Sequence, residues 1–187
     1  MTRTLTSSQA RAYYDEYGAK QDTQGWYEDK AMDELCAHAA FQEANAVLEF
    51  GCGTGKLAHR LLDEELPASA TYLGLDISSE MISLSTSRLE AFKDRAKVQL
   101  TDGDVTFDLP DASYDHFVST YVFDLLSEQD ARQILVEAHR ILKPGGRLCI
   151  ASLTEGCSRW SKFVSKSWAF VQRISPSTVG GLSLIHI

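Results

Sequence analysis

Residues 47–56 read VLEFGCGTGK, and this stretch decides the fold because three glycines follow an apolar run at every second position. The apolar run AVLEF at 46–50 predicts a buried strand, and the residues after the glycines predict a helix over about 56–65. A glycine turn between a strand and a helix lies at the carboxyl edge of a sheet, where open α/β sheets bind ligands. Its glycines allow close backbone approach, and the helix N-terminus points at the ligand.

The rest of the chain alternates in the same way from residue 46 onward. Further strands are predicted at 71–76, 97–104, 114–122 and 146–153, and further helices at 79–93 and 128–141. Regular alternation of strand and helix predicts a doubly wound α/β fold: a Rossmann-like, mostly parallel sheet with helices on both faces. The first forty residues predict amphipathic helix.

The spacing of the glycine loop separates three kinds of cofactor loop. A phosphate-binding P-loop requires glycine at position 50 and Ser or Thr at position 57, where this chain has Phe50 and Leu57. A dinucleotide fingerprint requires a third glycine where Lys56 stands. The observed pattern is acid-x-Gly-x-Gly-x-Gly, beginning at Glu49.

Five segments in order resemble the class I S-adenosylmethionine-dependent methyltransferases. They are EFGCGTG at 49–55, LGLDIS at 73–78, DGD at 102–104, SYD running into FVS at 113–119, and LKPGG at 142–146. Together they cover about residues 40–153, so the resemblance does not rest on the glycine loop alone. It implies S-adenosylmethionine as cofactor and S-adenosylhomocysteine as product.

The resemblance also implies roles for individual residues. Asp76, at a predicted strand end 25 residues after Gly51, is expected to accept hydrogen bonds from both ribose hydroxyls, as the equivalent acid does in dinucleotide folds. Gly51 and Gly53 are expected to face the amino-acid part of the cofactor, with Glu49 helping to position it. The expected cofactor-binding set is Glu49, Gly51, Cys52, Gly53, Gly55, Asp76, Ile77, Met81, Asp104, Val105, Thr120 and Tyr121.

Several of these residues have an alternative interpretation. In the cofactor interpretation, Asp104 and the Val105 N–H contact the adenine edge, while Ile77 and Met81 pack on its faces. Asp104 is also compatible with a turn residue, Met81 with a flexible core residue, and Cys52 with a small buried one. Thr120 and Tyr121 are expected to line the methionine end and to face the substrate.

The sequence identifies no catalytic residue. Methyl transfer from a sulfonium mainly needs alignment and exclusion of water, and a general base only for some acceptors. The weak candidates are Tyr17, Tyr121 and Asp124. The segment STYV at 119–122 differs from the [DN]PP[YF] tetrad of many amide and base N-methyltransferases, which favours a small-molecule O-, C- or N-acceptor.

Four regions are predicted along the chain. Residues 1–42 form a helical cap or lid, 43–156 the cofactor-binding core, 157–179 an amphipathic helix that is a candidate substrate cap, and 180–187 a truncation or junction tail. The family resembled has seven strands and only five are predicted here. We therefore expect the last two strands to be missing.

Composition excludes some functions. The 187 residues are 44% hydrophobic and 24% charged, which is typical of a globular domain. A net charge of −8 disfavours nucleic acid as a partner. No apolar run reaches signal-peptide or membrane-span length, and four cysteines without CxxC spacing indicate a reduced compartment, so a cytoplasmic location without membrane contact is expected. No metal site is expected, and the oligomeric state is open.

Two alternatives to a methyltransferase remain open from the residues. One is an oxidoreductase with a nucleotide cofactor on a related fold, which Lys56 disfavours. The other is a fragment that binds cofactor without turnover.

Overall fold

The protein was examined as a computed structural model, which describes residues 7–18 and 25–152. The helices are α1 (Ser7–Tyr17), α2 (Gly25–Ala39), α3 (Lys56–Arg60), α4 (Ser79–Arg88) and α5 (Glu128–Ile141). The strands are β1 (Ala46–Phe50), β2 (Thr71–Asp76), β3 (Ala96–Leu100), β4 (Tyr114–Thr120) and β5 (Leu142–Ala151). A π-helical turn, Leu61–Glu65, continues α3.

The five described strands form one parallel sheet in the order β3-β2-β1-β4-β5. The chain runs outward from β1 to β3 and then returns to the other side of β1 with β4. This reversal creates a topological switch point between β1 and β4, and ligands of open α/β sheets bind outside the carboxyl ends of the strands there. The α/β doubly wound fold predicted from the sequence is confirmed.

Alternate residues of the central strands face two helical layers. Val47, Tyr72 and Val118 belong to a buried cluster with residues of α2 and α3. Leu48 and Phe117, their neighbours in sequence, belong to a second cluster with Ile134 and Ile141 of α5. A strand buried on both faces explains the near-continuous apolar runs of the sequence.

Helix α5 has the predicted bounds and begins at the predicted cap. Ser127 precedes the helix, and its hydroxyl accepts a hydrogen bond from the Asp130 N–H at 3.1 Å. A serine oxygen at this position satisfies one of the backbone donors that a helix start leaves unpaired.

Four other bounds were predicted wrongly. The helix predicted over 79–93 ends at Arg88 and is followed by a 3₁₀ turn, Glu90–Phe92. The strand predicted over 97–104 ends at Leu100, and the one over 114–122 ends at Thr120. The strand predicted to begin at 146 begins at Leu142, because Leu142 already pairs with Tyr114 before a bulge containing Gly145 (φ +83°).

Some predictions concern residues outside the described part of the chain. They are the amphipathic helix at 157–179, the tail at 180–187, the expected absence of two further strands, and the side chain of Tyr17. Within residues 7–18 and 25–152, no helix is both long and apolar enough to cross a membrane. Cys36, Cys52 and Cys149 are buried free thiols.

Candidate functional site

The glycine loop leaves β1 in a backbone conformation that favours glycine at each alternate position. Gly51, Gly53 and Gly55 have φ values of +79°, +51° and +76°. A side chain at positive φ clashes with the backbone, so glycine is the residue that adopts these angles without strain. The Leu75 carbonyl anchors the loop by accepting the N–H groups of Gly51 at 2.7 Å and Cys52 at 3.0 Å.

The loop is also closely packed against its neighbours. A Cβ added at Gly51 would lie 2.1 Å from Cγ2 of Val122, in the segment after β4. One added at Gly55 would lie 3.0 Å from Cβ of Ser85 in α4. The glycines therefore let Val122 and α4 pack directly against the loop, and this closely packed turn between β1, β4 and α4 is the glycine cradle.

Asp76 ends β2 and holds the other side of this cradle. Its carboxylate accepts the Gly53 N–H at 2.8 Å and the Ser78 N–H at 2.9 Å, one on each oxygen. A carboxylate has about four lone-pair sites, so acceptor capacity remains for hydroxyl donors. Burial raises the pKa of Asp76, and the N–H groups of Ser78, Gly53 and Ile77 oppose that rise.

Glu49 lies beneath the loop and is 1% exposed. Its Oε2 accepts a hydrogen bond from the Tyr72 hydroxyl at 2.6 Å. Burial raises the pKa of Glu49 to about 8, the Tyr72 hydrogen bond lowers it, and nearby Asp76 raises it. Cys52, between Gly51 and Gly53 of the loop, is 5% exposed, as expected for a small buried residue, and burial raises its pKa.

The start of α4 carries two further residues predicted for the site. Ile77 is half-buried in the turn after β2, and Met81 is 1% exposed in the first turn of the helix. Ser78 caps the helix, with its hydroxyl accepting the Met81 N–H at 3.2 Å. The depth of Met81 agrees with the core interpretation as well as with packing against a ligand.

The loop after β3 contains Asp104 and Val105. Asp104 is exposed, whereas Val105 packs against the cluster that includes Phe117. Arg140 of α5 holds the following residues by donating to the carbonyls of Phe107 at 2.9 Å and Leu109 at 2.8 Å.

The segment after β4 has an unusual backbone at Tyr121. This residue has φ +59°, although it is not glycine, and its N–H donates to the Ala151 carbonyl at 2.8 Å. Strain of this kind costs about 1–3 kcal/mol and is concentrated at functional sites. Asp124 follows in the 3₁₀ turn Phe123–Leu125 and is 2% exposed, while Thr120 is half-buried.

Helix α1 covers the ends of β2 and β3 through polar contacts that were missed in the sequence. Arg11 donates to the Ile77 carbonyl at 3.1 Å and to the Thr101 carbonyl at 3.2 Å. Asp15 accepts the Ser78 hydroxyl at 2.6 Å, and this hydrogen bond lowers the pKa of Asp15. No sequence signal connects residues 66 and 63 positions apart; only Ser78, as a cap before a helix, had a recognisable pattern.

The structure thus brings most of the predicted cofactor residues to one edge of the sheet. Gly53 and Asp76 are in direct contact, and Val122, which follows Tyr121, packs over Gly51. Lys56, the residue that differs from the dinucleotide fingerprint, forms an ion pair with Asp29 of α2 at 2.5 Å. Among the described residues, no three His, Cys, Asp or Glu side chains form a group that could hold a metal ion.

A parallel sheet with a glycine cradle and a buried acid at its switch point defines a Rossmann-like cofactor-binding domain. The chain matches the profile of the family described as "Methyltransferase domain" over residues 47–146, more than half its length. It therefore belongs to the class I S-adenosylmethionine-dependent methyltransferase domains, as the resemblance implied.

Two curated relatives illustrate the similarity. An uncharacterized methyltransferase of Anoxybacillus flavithermus is 33% identical over 111 residues, covering 59% of this chain and 48% of the relative. A demethylmenaquinone methyltransferase of Lactobacillus johnsonii is 34% identical over 110 residues, covering 58% of this chain and 43% of the relative. The chain thus spans about half the length of the curated relatives it matches.

Solved structures support the same fold. The [4+2]-cyclase SpnF has a TM-score of 0.70 at 19% identity, covering 83% of this chain and 63% of that one. DhpI in complex with S-adenosylhomocysteine has a TM-score of 0.62 at 21% identity, covering 78% and 68%. At these identities the likeness establishes the fold alone.

Proposed function

We propose that this chain binds S-adenosylmethionine in the glycine cradle and transfers its methyl group to a small-molecule acceptor. The contact between the Gly53 N–H and Asp76 carries the proposal, because it joins the glycine loop to the acidic strand end at the switch point of the sheet. Family membership and the S-adenosylhomocysteine bound by DhpI support the choice of cofactor.

The residues present fit this cofactor. The Gly53 N–H holds the Asp76 carboxylate at the carboxyl edge of the sheet, and the remaining lone pairs of Asp76 suit two ribose hydroxyls. A 2′-phosphate would meet the same carboxylate and be repelled. Ile77 and Val105 supply apolar surface on the adenine side, with Asp104 at its edge, and Thr120 lies toward the methionine end.

When bound, S-adenosylmethionine supplies an electrophilic methyl group bonded to a sulfonium sulfur, and loss of this methyl group leaves a neutral thioether. The chain's own contribution is to hold the acceptor in line and to exclude water. Tyr121 and Asp124 follow β4 at the edge where an acceptor would enter, so we propose them as substrate contacts. Tyr17 remains a further candidate from the sequence.

We also propose the division into a lid at 1–42, a core at 43–156 and a substrate cap at 157–179. The contacts of Arg11 and Asp15 with the ends of β2 and β3 support the lid. Demethylmenaquinone methyltransferase among the relatives supports a small organic acceptor, with nucleic acid disfavoured by the charge of −8.

Calorimetric titration with S-adenosylmethionine, S-adenosylhomocysteine and NAD tests the cofactor site. We expect about micromolar binding of the first two, weakened roughly 100-fold in Asp76→Ala through loss of two charged hydrogen bonds. Asp63→Ala, on the exposed turn after α3, is the matched control for loss of one charge. Binding of NAD instead would favour the oxidoreductase. Cofactor binding without methyl transfer to any acceptor would favour a binding domain without turnover.

A further inference from the structure

A buried acid and a buried phenol are paired beneath the glycine loop. Glu49 is 1% exposed and Tyr72 is 2% exposed, and the phenol donates to the carboxyl group across 2.6 Å. The two residues come from adjacent parallel strands, and Glu49 pairs in register with Gly74, two residues beyond Tyr72. Both side chains therefore project from the same face of the sheet.

Gly74 leaves the space in which this pair forms. A Cβ at position 74 would lie 3.0 Å from the Tyr72 hydroxyl oxygen and 2.9 Å from Sγ of Cys52. The phenol and the loop residue Cys52 thus meet over Gly74, which lies opposite Glu49 in the β1–β2 register. A substitution at position 74 would displace the phenol from the acid.

Among the described residues, none of the groups that act on Glu49 carries a compensating positive charge. The titratable groups that act on it are Tyr72 and Asp76, and Cys52 lies beside them; each is neutral or negative when titrated. A buried carboxylate without a cation is unfavourable, so such a group takes up a proton instead. In agreement, burial raises the pKa of Glu49 to about 8, so the acid is largely protonated at neutral pH before a ligand binds.

A cation placed on the loop would reverse this balance, because an opposite charge nearby favours the ionised carboxyl group. S-adenosylmethionine carries one positive charge more than its thioether product. The loop residue two positions after Glu49, Gly51, is the proposed neighbour of the charged end of the cofactor. The Gly51 N–H donates a hydrogen bond to the Leu75 carbonyl, and this hydrogen bond fixes the loop that follows Glu49.

Resting on the proposed function, we propose that Glu49 and Tyr72 form a charge-sensing pair through which the site distinguishes the sulfonium cofactor from its neutral product. Binding of the sulfonium ionises Glu49, and the proton leaves to solvent. The thioether ionises Glu49 to a smaller extent, so its affinity increases less steeply as pH rises. Tyr72 is a positioning residue, because it acts only through the acid.

The experiment is calorimetric titration of the full chain with S-adenosylmethionine and S-adenosylhomocysteine in buffers of different ionisation enthalpy, between about pH 6 and pH 8.5. We expect the sulfonium to release up to about one proton per site, with affinity rising by up to about tenfold per pH unit until Glu49 is ionised in the free protein. The product should release fewer protons and show a shallower rise.

Variants separate the two members of the pair. Glu49→Gln should abolish the difference in proton release between the two ligands. Tyr72→Phe should move the pH at which affinity levels off upward, because the phenol hydrogen bond lowers the pKa of Glu49. Tyr114→Phe, at the opposite end of β4 from the site, removes a hydroxyl from a half-buried tyrosine and should change neither quantity.

The outcomes distinguish this inference from the proposed function. Binding of neither ligand by folded protein would overturn both. Tight binding with equal proton release in the wild type and Glu49→Gln would overturn the charge-sensing pair and leave the cofactor site standing. If Glu49→Gln does not fold, infrared difference spectra of the wild type decide: a protonated carboxyl band lost when the sulfonium binds supports the pair, and an unchanged band overturns it.

Discussion

Gly51 shows how a single residue shapes the cradle. Its φ of +79° disfavours any side chain, and a Cβ there would lie 2.1 Å from Val122. We expect Gly51→Ala to lower the free energy of unfolding by roughly 2–5 kcal/mol, of which about 1–2 kcal/mol is backbone strain and the rest steric overlap. Chemical denaturation measures the change.

Gly145→Ala is the matched control for that substitution. Its φ of +83° is similar, but a Cβ at Gly145 would meet nothing within 4 Å. It should therefore show the backbone strain alone, and Gly51→Ala combined with Val122→Ala should recover part of the steric loss. Equal effects of Gly51→Ala and Gly145→Ala would contradict the close-packed cradle.

Glu49 makes the stability of the protein depend on pH in an unusual direction. Its folded pKa of about 8 exceeds the ordinary value of 4.5, so the folded protein binds the proton more tightly. The associated stability is complete below pH 4.5 and is lost as pH rises toward 8, by up to about 1.4 kcal/mol per pH unit. We expect Glu49→Gln to remove this dependence, as measured by denaturation at several pH values.

The control is Glu43→Gln, because the Glu43 side chain is 67% exposed. It should leave the pH dependence of the wild type unchanged. A wild-type stability that rises from pH 5 to pH 8 relative to Glu49→Gln would mean that the carboxyl group is ionised in the folded protein.

These residues differ in how far the sequence predicts them. Gly51 and Asp76 belong to a local pattern beside a strand, and the sequence places them at the correct edge of the sheet. The partner of Glu49 could not be predicted, because Tyr72 reaches it only through the β1–β2 register and the space above Gly74. From the sequence alone, nothing distinguishes Tyr72 from any other residue of a strand.

At the scale of the elements, two polar side chains of α1 contact the site edge. Arg11 contacts the loops after β2 and β3, and Asp15 contacts the start of α4. A hydrogen bond contributes about 0.5–1.5 kcal/mol, so we expect Arg11→Ala or Asp15→Asn to speed amide exchange in residues 8–16 by about 3- to 10-fold. Hydrogen exchange with mass spectrometry measures this.

The exchange of the central strands should remain unchanged in both variants. Arg132→Ala, which removes an exposed ion pair within α5, serves as the control and should not affect α1. The lowered pKa of Asp15 means that its contribution is complete above the ordinary value of 3.8 and is lost as pH falls below it. Unchanged exchange in both variants would show that apolar contacts hold α1.

The bounds of helices and strands could be predicted where a local sequence pattern sets them, and not where pairing with a distant strand sets them. The start of α5 was predicted because the Ser127 cap is a local pattern. The start of β5 was not, since Pro144 and two glycines resemble a turn by sequence. Only pairing with β4 shows that they form a bulge inside a longer strand.

At the scale of the whole molecule, the switch point explains why the segments that follow β1, β2 and β3 predicted one site. Strands that run parallel end at one edge, so motifs at successive strand ends converge without being close in sequence. The order β3-β2-β1-β4-β5 places β1 centrally, with the acid of β2 on one side and the segment of Tyr121 on the other. The contacts of α1 are with two backbone carbonyls and one hydroxyl that come together only in the folded edge, which is why sequence patterns did not reveal them.

A ligand held by several strand ends should stabilise the entire sheet. At a concentration of S-adenosylhomocysteine 100 times its dissociation constant, we expect about 2.7 kcal/mol of added stability, or a rise in Tm of about 5–10 °C for a domain of this size. Differential scanning calorimetry measures the shift, with the Asp63→Ala variant as control. Asp76→Ala should lower the Tm without ligand, because the Gly53 and Ser78 N–H groups lose their acceptor. With binding weakened roughly 100-fold, the same ligand concentration should add only about 0.4 kcal/mol. A full shift retained in Asp76→Ala would place the ligand elsewhere on the molecule, since this carboxylate is both the proposed ribose contact and the acceptor that fixes Gly53.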